Sequence, residues 1–371
     1  MDYNWTSYII LAFAVSLICT AISIPPLLRL CRRRGYYDIP NERKVHHNKI
    51  PRLGGVLFMP SMLIGSSVAF VAMEILGHAA VFSSFGLSTL LVAIGMFLLY
   101  IIGLLDDLFG IRAGVKFAIQ LVVSLFLPFC GIYIHDLYGL FGIHELPLWL
   151  GYLLTMVISI LIVNATNLID GIDGLSSSLG LLATLVFGVL YACQGMYFYT
   201  IFCFALSGSL VAFWFFNMFG SPQKGSKTFM GDTGSLTLGY ALAFVAMRYV
   251  IIGTNNVPEE SRCVVILVPF TLLFVPCIDS VRVAVKRLLR HKPIFHPDKT
   301  HIHHKCLRAG FSMHQSLCVI LLLQLFYCAT NWLIVTWGGR VNFVVVFDIL
   351  SFIAFNLWLD RKIVQNNNPR L

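Results

Sequence analysis

Apolar runs of about twenty residues follow one another along nearly the whole chain, parted by short polar stretches. They lie near residues 5–31, 53–76, 86–105, 115–134, 146–163, 175–193, 198–219, 235–253, 263–283, 313–337 and 341–360. A helix of that length crosses a hydrocarbon core of ~30 Å. Inside a bilayer no water satisfies backbone groups, so each run predicts a helix. No barrel-like alternation of polar and apolar residues competes with this. The pattern predicts an all-α polytopic membrane protein of about eleven transmembrane helices, read as one integral-membrane domain over residues 1–371.

Charge adds an orientation. Arg32, Arg33, Arg34, Arg43, Lys44, Lys49 and Arg52 crowd the first connection, and Lys286, Arg287, Arg290, Lys292, Lys299, Lys305 and Arg308 crowd the ninth. The even-numbered connections show little more than Arg248, Arg262 and Arg340. The positive-inside rule then predicts an N-terminus outside and a C-terminus in the cytoplasm. The net charge of +9 reads as topology and headgroup attraction, not as a nucleic-acid surface. Composition agrees: 58% of residues are hydrophobic and only 12% charged, which excludes an ordinary soluble domain. The first run is too long for a cleaved signal peptide and ends in a basic stop. Most of the ten cysteines fall inside apolar runs and read as small apolar residues.

The chemistry gathers in five polar insertions, all predicted on the cytoplasmic side. Asn164 to Gly174 places Asn167, Asp170 and Asp173 at spacings of three, along one face of a helical turn. Pro51-Arg52-Leu53-Gly54-Gly55, at a helix start, suggests free N–H groups and basic side chains for an anionic group. Asp106 and Asp107 close the third helix, where carboxylates oppose the helix dipole; being adjacent, they cannot share one job. Gly231-Asp232-Thr233-Gly234-Ser235 offers a carboxylate, hydroxyls and bare N–H groups, the parts for a hard cation carrying a phosphate. In the last insertion Pro297 suits a helix start and Gly310 its end, so His301 and His304 would share a face while His303 turns away. Zinc is the poorer account of these histidines, because Lys299, Lys305 and Arg308 would repel a cation; hydrogen bonds to phosphate suit them better. Oxygen ligands favour Mg2+, with Mn2+ as a substitute, bound through one or two carboxylates plus substrate phosphates. Pro25-Pro26 is expected to kink the first helix or end its regular hydrogen bonding.

With Leu105-Asp106-Asp107, Asn164 to Gly174, Met230 to Ser235 and Pro297 to His304 in that order, the chain resembles the polyprenyl-phosphate N-acetylhexosamine-1-phosphate transferases over essentially its whole length. The resemblance implies transfer of a sugar 1-phosphate from a UDP-sugar to undecaprenyl phosphate, with UMP released and Mg2+ required, at the cytoplasmic face of a bacterial inner membrane. It implies that Asp232 is the principal metal ligand and that Asp106 and Asp107 are a catalytic pair, with one proposed as base. Asn167, Asp170 and Asp173 would position substrate and metal. Asn217 and Lys116 would bind the donor, Phe229 would stack on uracil, and His301, His303 and His304 would hold the diphosphate. Lys44 and His46 would lie near the lipid phosphate. The membrane setting also admits a homodimer.

The nucleophile would be a phosphate monoester whose second pKa is about 6, largely a dianion already, so direct attack on the donor's β-phosphorus needs no strong base. An aspartyl-phosphosugar intermediate on Asp106 or Asp107 is the alternative. Ile302 interrupts the histidine run, which resembles the N-acetylglucosamine branch of the family. The branch making peptidoglycan lipid I from UDP-MurNAc-pentapeptide shows three consecutive histidines and is the enzymatic alternative. An ion-coupled transporter is the alternative of another class, but it would place its acids near the midplane.

Overall fold

Apolar runs with no water around them must close their backbone hydrogen bonds internally, and each predicted run is helical over most of its length. A computed structural model of the chain describes residues 5–37, 49–76, 86–291 and 300–367. The helices are α1 (Trp5–Arg34), α2 (Phe58–Ile75), α3 (Leu87–Phe109), α4 (Ala113–Ser124), α5 (Phe126–Phe129), α6 (Leu148–Ile169) and α7 (Leu175–Cys193). They continue with α8 (Tyr197–Phe219), α9 (Gly231–Asn255), α10 (Arg262–Leu272), α11 (Phe274–Leu288), α12 (Ile302–Arg308), α13 (Met313–Thr336) and α14 (Val341–Asn367).

Among the described residues nine helices are long and apolar enough to cross a membrane, as expected of a multi-pass membrane protein. Two of the eleven predicted runs take another form. The run 115–134 is the shorter pair α4 and α5, ended by a turn at Gly131 with φ +73°. The run 263–283 breaks at Leu273, where α10 and α11 meet at 73°. Pro276 accounts for the break, since it has no N–H to offer the Leu272 carbonyl one turn earlier. The proline pair in α1 does not end it: the helix runs through Pro25 and Pro26 to Arg34. In a bilayer a helix tolerates proline, because ending it would expose still more backbone.

A small hairpin, β1 (Asp136–Leu140) with β2 (Ile143–Glu145), lies at the opposite end of the helices from the polar insertions. Its two-residue turn, Phe141-Gly142, has positive φ at both positions, as a type I′ turn requires. No strand was expected from the apolar pattern.

The centre of the fold is α9. It is buried on nearly every side, including the polar Thr233, Ser235 and Thr237. A helix enclosed all round needs no amphipathic face and can carry small residues wherever neighbours come close. It packs against α3 and α6, while α1 packs on α2 and α8. The start of α9 is thereby set between the ends of α3 and α6, which carry the insertions' carboxylates.

Candidate active site

The site begins with a conflict at the end of α3, where Asp106 and Asp107 face a helix C-terminus. Arg52 resolves it. Its guanidinium donates to the Asp106 carbonyl at 2.9 Å and to the Asp107 carbonyl at 2.8 and 3.0 Å, a cation at the negative end of the dipole. The Asp107 side chain then turns to the start of α9. It accepts from the N–H groups of Asp232 and Thr233, both at 2.9 Å, and from the Thr233 hydroxyl at 2.7 Å. The last carboxylate of α3 caps the first turn of α9. Gly231, with φ +75°, is required there, because a Cβ would collide with the Arg52 carbonyl and the Asp107 carboxylate.

These contacts correct two expectations. The N–H groups of Asp232 and Thr233 are bound by Asp107, so they are not bare for a phosphate. Those of Gly54 and Gly55 donate to the carbonyls of Phe229 (3.0 Å) and Met230 (2.9 Å), and Arg52 is committed to α3. The glycine-rich segments hold the frame together; they are not anion cradles. The expectation that adjacent aspartates do different jobs fits, with Asp107 acting on the scaffold.

Asp106 faces the site. It accepts from the Ile111 N–H at 2.5 Å and from Lys116 at 3.0 Å. The same Lys116 ammonium lies 2.6 Å from Asp232, whose other oxygen accepts from Asn167 at 3.1 Å. Asn167 also donates to Ser235 at 2.8 Å, which leaves its carbonyl oxygen as an acceptor. Asp170 ends α6 and has no hydrogen-bond donor among the described residues. Desolvation and the carboxylates of Asp173, Asp232 and Asp107 push it up to about 8. Asp173 is paired with Lys227 at 2.6 Å.

This oxygen set fits the expected metal. Asp106, Asp107, Asp170, Asp173 and Asp232 are met by Arg52, Lys116 and Lys227, leaving a surplus of negative charge around an unpaired Asp170. Among the described residues no group of three or more His, Cys, Asp or Glu is placed to hold a metal ion by itself. Mg2+ needs none, because it is held by one or two carboxylates together with substrate phosphates.

Asn217 is committed elsewhere. Its carbonyl accepts from the Gly174 N–H at 2.6 Å and its amide donates to the Thr228 carbonyl at 2.8 Å, so it braces two loops. The structure therefore gives it a bracing role between these loops. Phe229 is half-buried, with its N–H on the Pro51 carbonyl. Lys44, His46 and Pro297 lie outside the described residues.

The histidines arrive on α12, which starts at Ile302, later than expected. His301 precedes it in extended conformation, so the helical spacing that would turn His303 away does not hold. His303 is 2% exposed and its ring lies against Gly171, where any Cβ would collide with it. Burial and the neighbouring His304 and His301 push His303 down to about 3, so it is neutral. His301 Nδ1 pairs with Asp279 at 2.9 Å. Asp279 also accepts from the Ile302 N–H at 3.1 Å and from Arg282 at 2.6 Å, capping α12 from α11. Among the described residues His301 Nε2 and His303 Nδ1 are buried with no hydrogen-bond partner, two polar atoms facing no protein donor or acceptor there. Behind them Lys305 ties α12 to α14, donating to the carbonyl and side chain of Asn356, both at 3.1 Å, and meeting Asp360 at 2.9 Å. Sequence reasoning missed Asp279. An acid three residues before Arg282 inside an apolar run was the available signal.

The sequence is similar to known proteins. Residues 89–250 match the family described as glycosyl transferase family 4. A probable undecaprenyl-phosphate N-acetylglucosaminyl 1-phosphate transferase of Bacillus subtilis is 29% identical, over 93% of this chain and 90% of its own. The undecaprenyl-phosphate α-N-acetylglucosaminyl 1-phosphate transferase of Escherichia coli K12 is 27% identical, over 92% and 90%. The decaprenyl-phosphate N-acetylglucosaminephosphotransferase of Mycobacterium tuberculosis is 31% identical, over 91% and 81%.

Proposed function

Because the chain belongs to the polyprenyl-phosphate N-acetylhexosamine-1-phosphate transferases of glycosyl transferase family 4, we propose that it moves N-acetylglucosamine 1-phosphate from UDP-N-acetylglucosamine to undecaprenyl phosphate, releasing UMP. The relatives' names support this donor and acceptor over lipid I synthesis and over ion transport. The observation that carries the reading is the meeting of the Asp170 carboxyl with two imidazole nitrogens across Gly171, all three without a hydrogen-bond partner among the described residues. A site at the helix ends, on the predicted cytoplasmic face of a bacterial inner membrane, lies where a soluble donor and a lipid-borne acceptor could meet.

An oxygen of the lipid phosphate bonds to the donor's β-phosphorus as the bridging bond to the α-phosphate breaks, and UMP leaves with that electron pair. Mg2+, held by Asp232 and Asn167, would offset charge on the phosphates. Lys116 sits between Asp106 and Asp232, and its ammonium also serves the donor diphosphate. Asp279 fixes the Nδ1 proton of His301; a proton on Nε2 makes it a donor to a phosphate oxygen, with Asp279 offsetting the imidazolium charge. Direct transfer is favoured over an aspartyl intermediate. The Asp107 carboxylate is 1% exposed and engaged by three donors, and the dianionic nucleophile needs no covalent help.

The test is UMP release across a panel of UDP-sugars, with and without undecaprenyl phosphate and Mg2+. Release is expected from UDP-N-acetylglucosamine only when both are present. Transfer from UDP-MurNAc-pentapeptide alone would overturn the donor. A labelled covalent enzyme in single turnover would overturn direct transfer.

A further inference from the structure

The break between α10 and α11 leaves two backbone groups without their helical partners. In an unbroken helix the Val275 N–H would donate to the Thr271 carbonyl. Instead Gln324 of α13, fully buried, takes both places. Its amide nitrogen donates to the Thr271 carbonyl at 2.7 Å, and its amide oxygen accepts from the Val275 N–H at 3.3 Å. Two turns further along α13, Asn331 donates to the Thr271 hydroxyl at 2.8 Å and to Asp348 of α14 at 2.7 Å. Unpaired backbone groups are expensive in a bilayer, and here one side chain replaces the missing bond from outside the helix.

One turn beyond Val275 stands Asp279, the residue that holds His301 Nδ1 and the Ile302 N–H. The direction of α11 therefore decides where the histidine helix sits. We propose that Gln324 is a positioning residue for His301: by joining the two halves of the broken helix it fixes the 73° bend that carries Asp279 to the histidine. This rests on the transferase reading only for its effect on rate; the placement of α12 is a claim about structure.

The test pairs kinetics with backbone exchange on the full-length protein. Gln324→Met keeps the side chain's bulk and removes both hydrogen bonds. UMP release is measured for Gln324→Met, Asp279→Asn and the double variant, and hydrogen–deuterium exchange is followed in the peptide spanning residues 300–308. The expected result is a fall in kcat of roughly 10- to 100-fold for Gln324→Met, with little change in KM for UDP-N-acetylglucosamine. The double variant should be no slower than the worse single one. Exchange at Ile302 should quicken while the first turn of α9 stays protected. Losses that multiply in the double variant, or unchanged exchange at Ile302, overturn the proposal. If Gln324→Met does not accumulate, Gln324→Glu, which keeps an acceptor for the Val275 N–H and loses the donor to the Thr271 carbonyl, carries the same expectations at smaller size. Quickened exchange in a protein that releases no UMP would leave the positioning intact and sink the transferase reading instead.

Discussion

The two halves of the site are built by opposite means. The carboxylate half is locked by backbone: Arg52 on the carbonyls of α3, and Asp107 on the N–H groups of α9. The histidine half is a short helix held from outside by side chains, Asp279 at its start and Lys305 behind it. A backbone-locked frame fixes charges before any substrate arrives, as electrostatic catalysis demands. A clipped helix is cheaper to displace, and its placement depends on residues far away in sequence.

The sharpest way to break this comparison is to remove one charge from the frame without disturbing its backbone. Asp232→Asn should lower UMP release on the order of 10³-fold or more, with an unchanged melting temperature. Near-wild-type turnover at saturating Mg2+ would end its assignment as metal ligand. On the clip, His301→Ala and Asp279→Asn should each cost about 10²-fold in kcat, from protein carrying no zinc. Stoichiometric zinc in the wild type, lost in His301→Ala, would overturn the phosphate-binding role.

Asp107→Asn strikes the frame's backbone. It sets an amide N–H against the donors of α9 and should cost about 1–3 kcal/mol, seen as a lower melting temperature than that of Asp232→Asn. Equal melting temperatures would erase the distinction between scaffold and site. Gly171→Ala should shift the His303 ring and slow turnover roughly tenfold, while leaving Mg2+ dependence alone. Acid stability gives the last test. His303 is held near 3 in the fold against 6.5 unfolded, so below about 6.5 the unfolded chain binds the extra proton. Stability is then intact above about 6.5 and falls as pH drops toward 3. Denaturation midpoints measured from pH 7 to 4 should show a shallower fall for His303→Gln, and parallel curves would refute it.

Much of this was legible in the sequence. Helices follow from the length of the apolar runs alone, and the five insertions converge because each lies at the same end of its helices. The roles inside the insertions were less legible. Whether an N–H beside Gly54 or Asp232 is bare depends on which chain segment lies opposite, and Phe229 and Asp107 are far away in sequence. Asp279 hid inside an apolar run, and the orientation of His303 turned on where α12 begins. Ile302, which breaks the histidine run, is fully buried with Leu175 and Phe274 and serves the core.

The anchor of α12 on α14 has a consequence for how the protein is made. Lys305 finds its partners in Asn356 and Asp360, some fifty residues later in the chain. At ~5–20 residues per second, the ribosome delivers those partners seconds after the histidines. Until α14 inserts, the Lys305 ammonium lacks the partners it has in the folded chain, and the back of the histidine helix is unanchored. The carboxylate frame, complete once α9 is in place, waits for the final span. Chains interrupted before Asp360 would sit in the membrane with the carboxylate frame assembled and no turnover, so activity itself reports that the last helix has arrived.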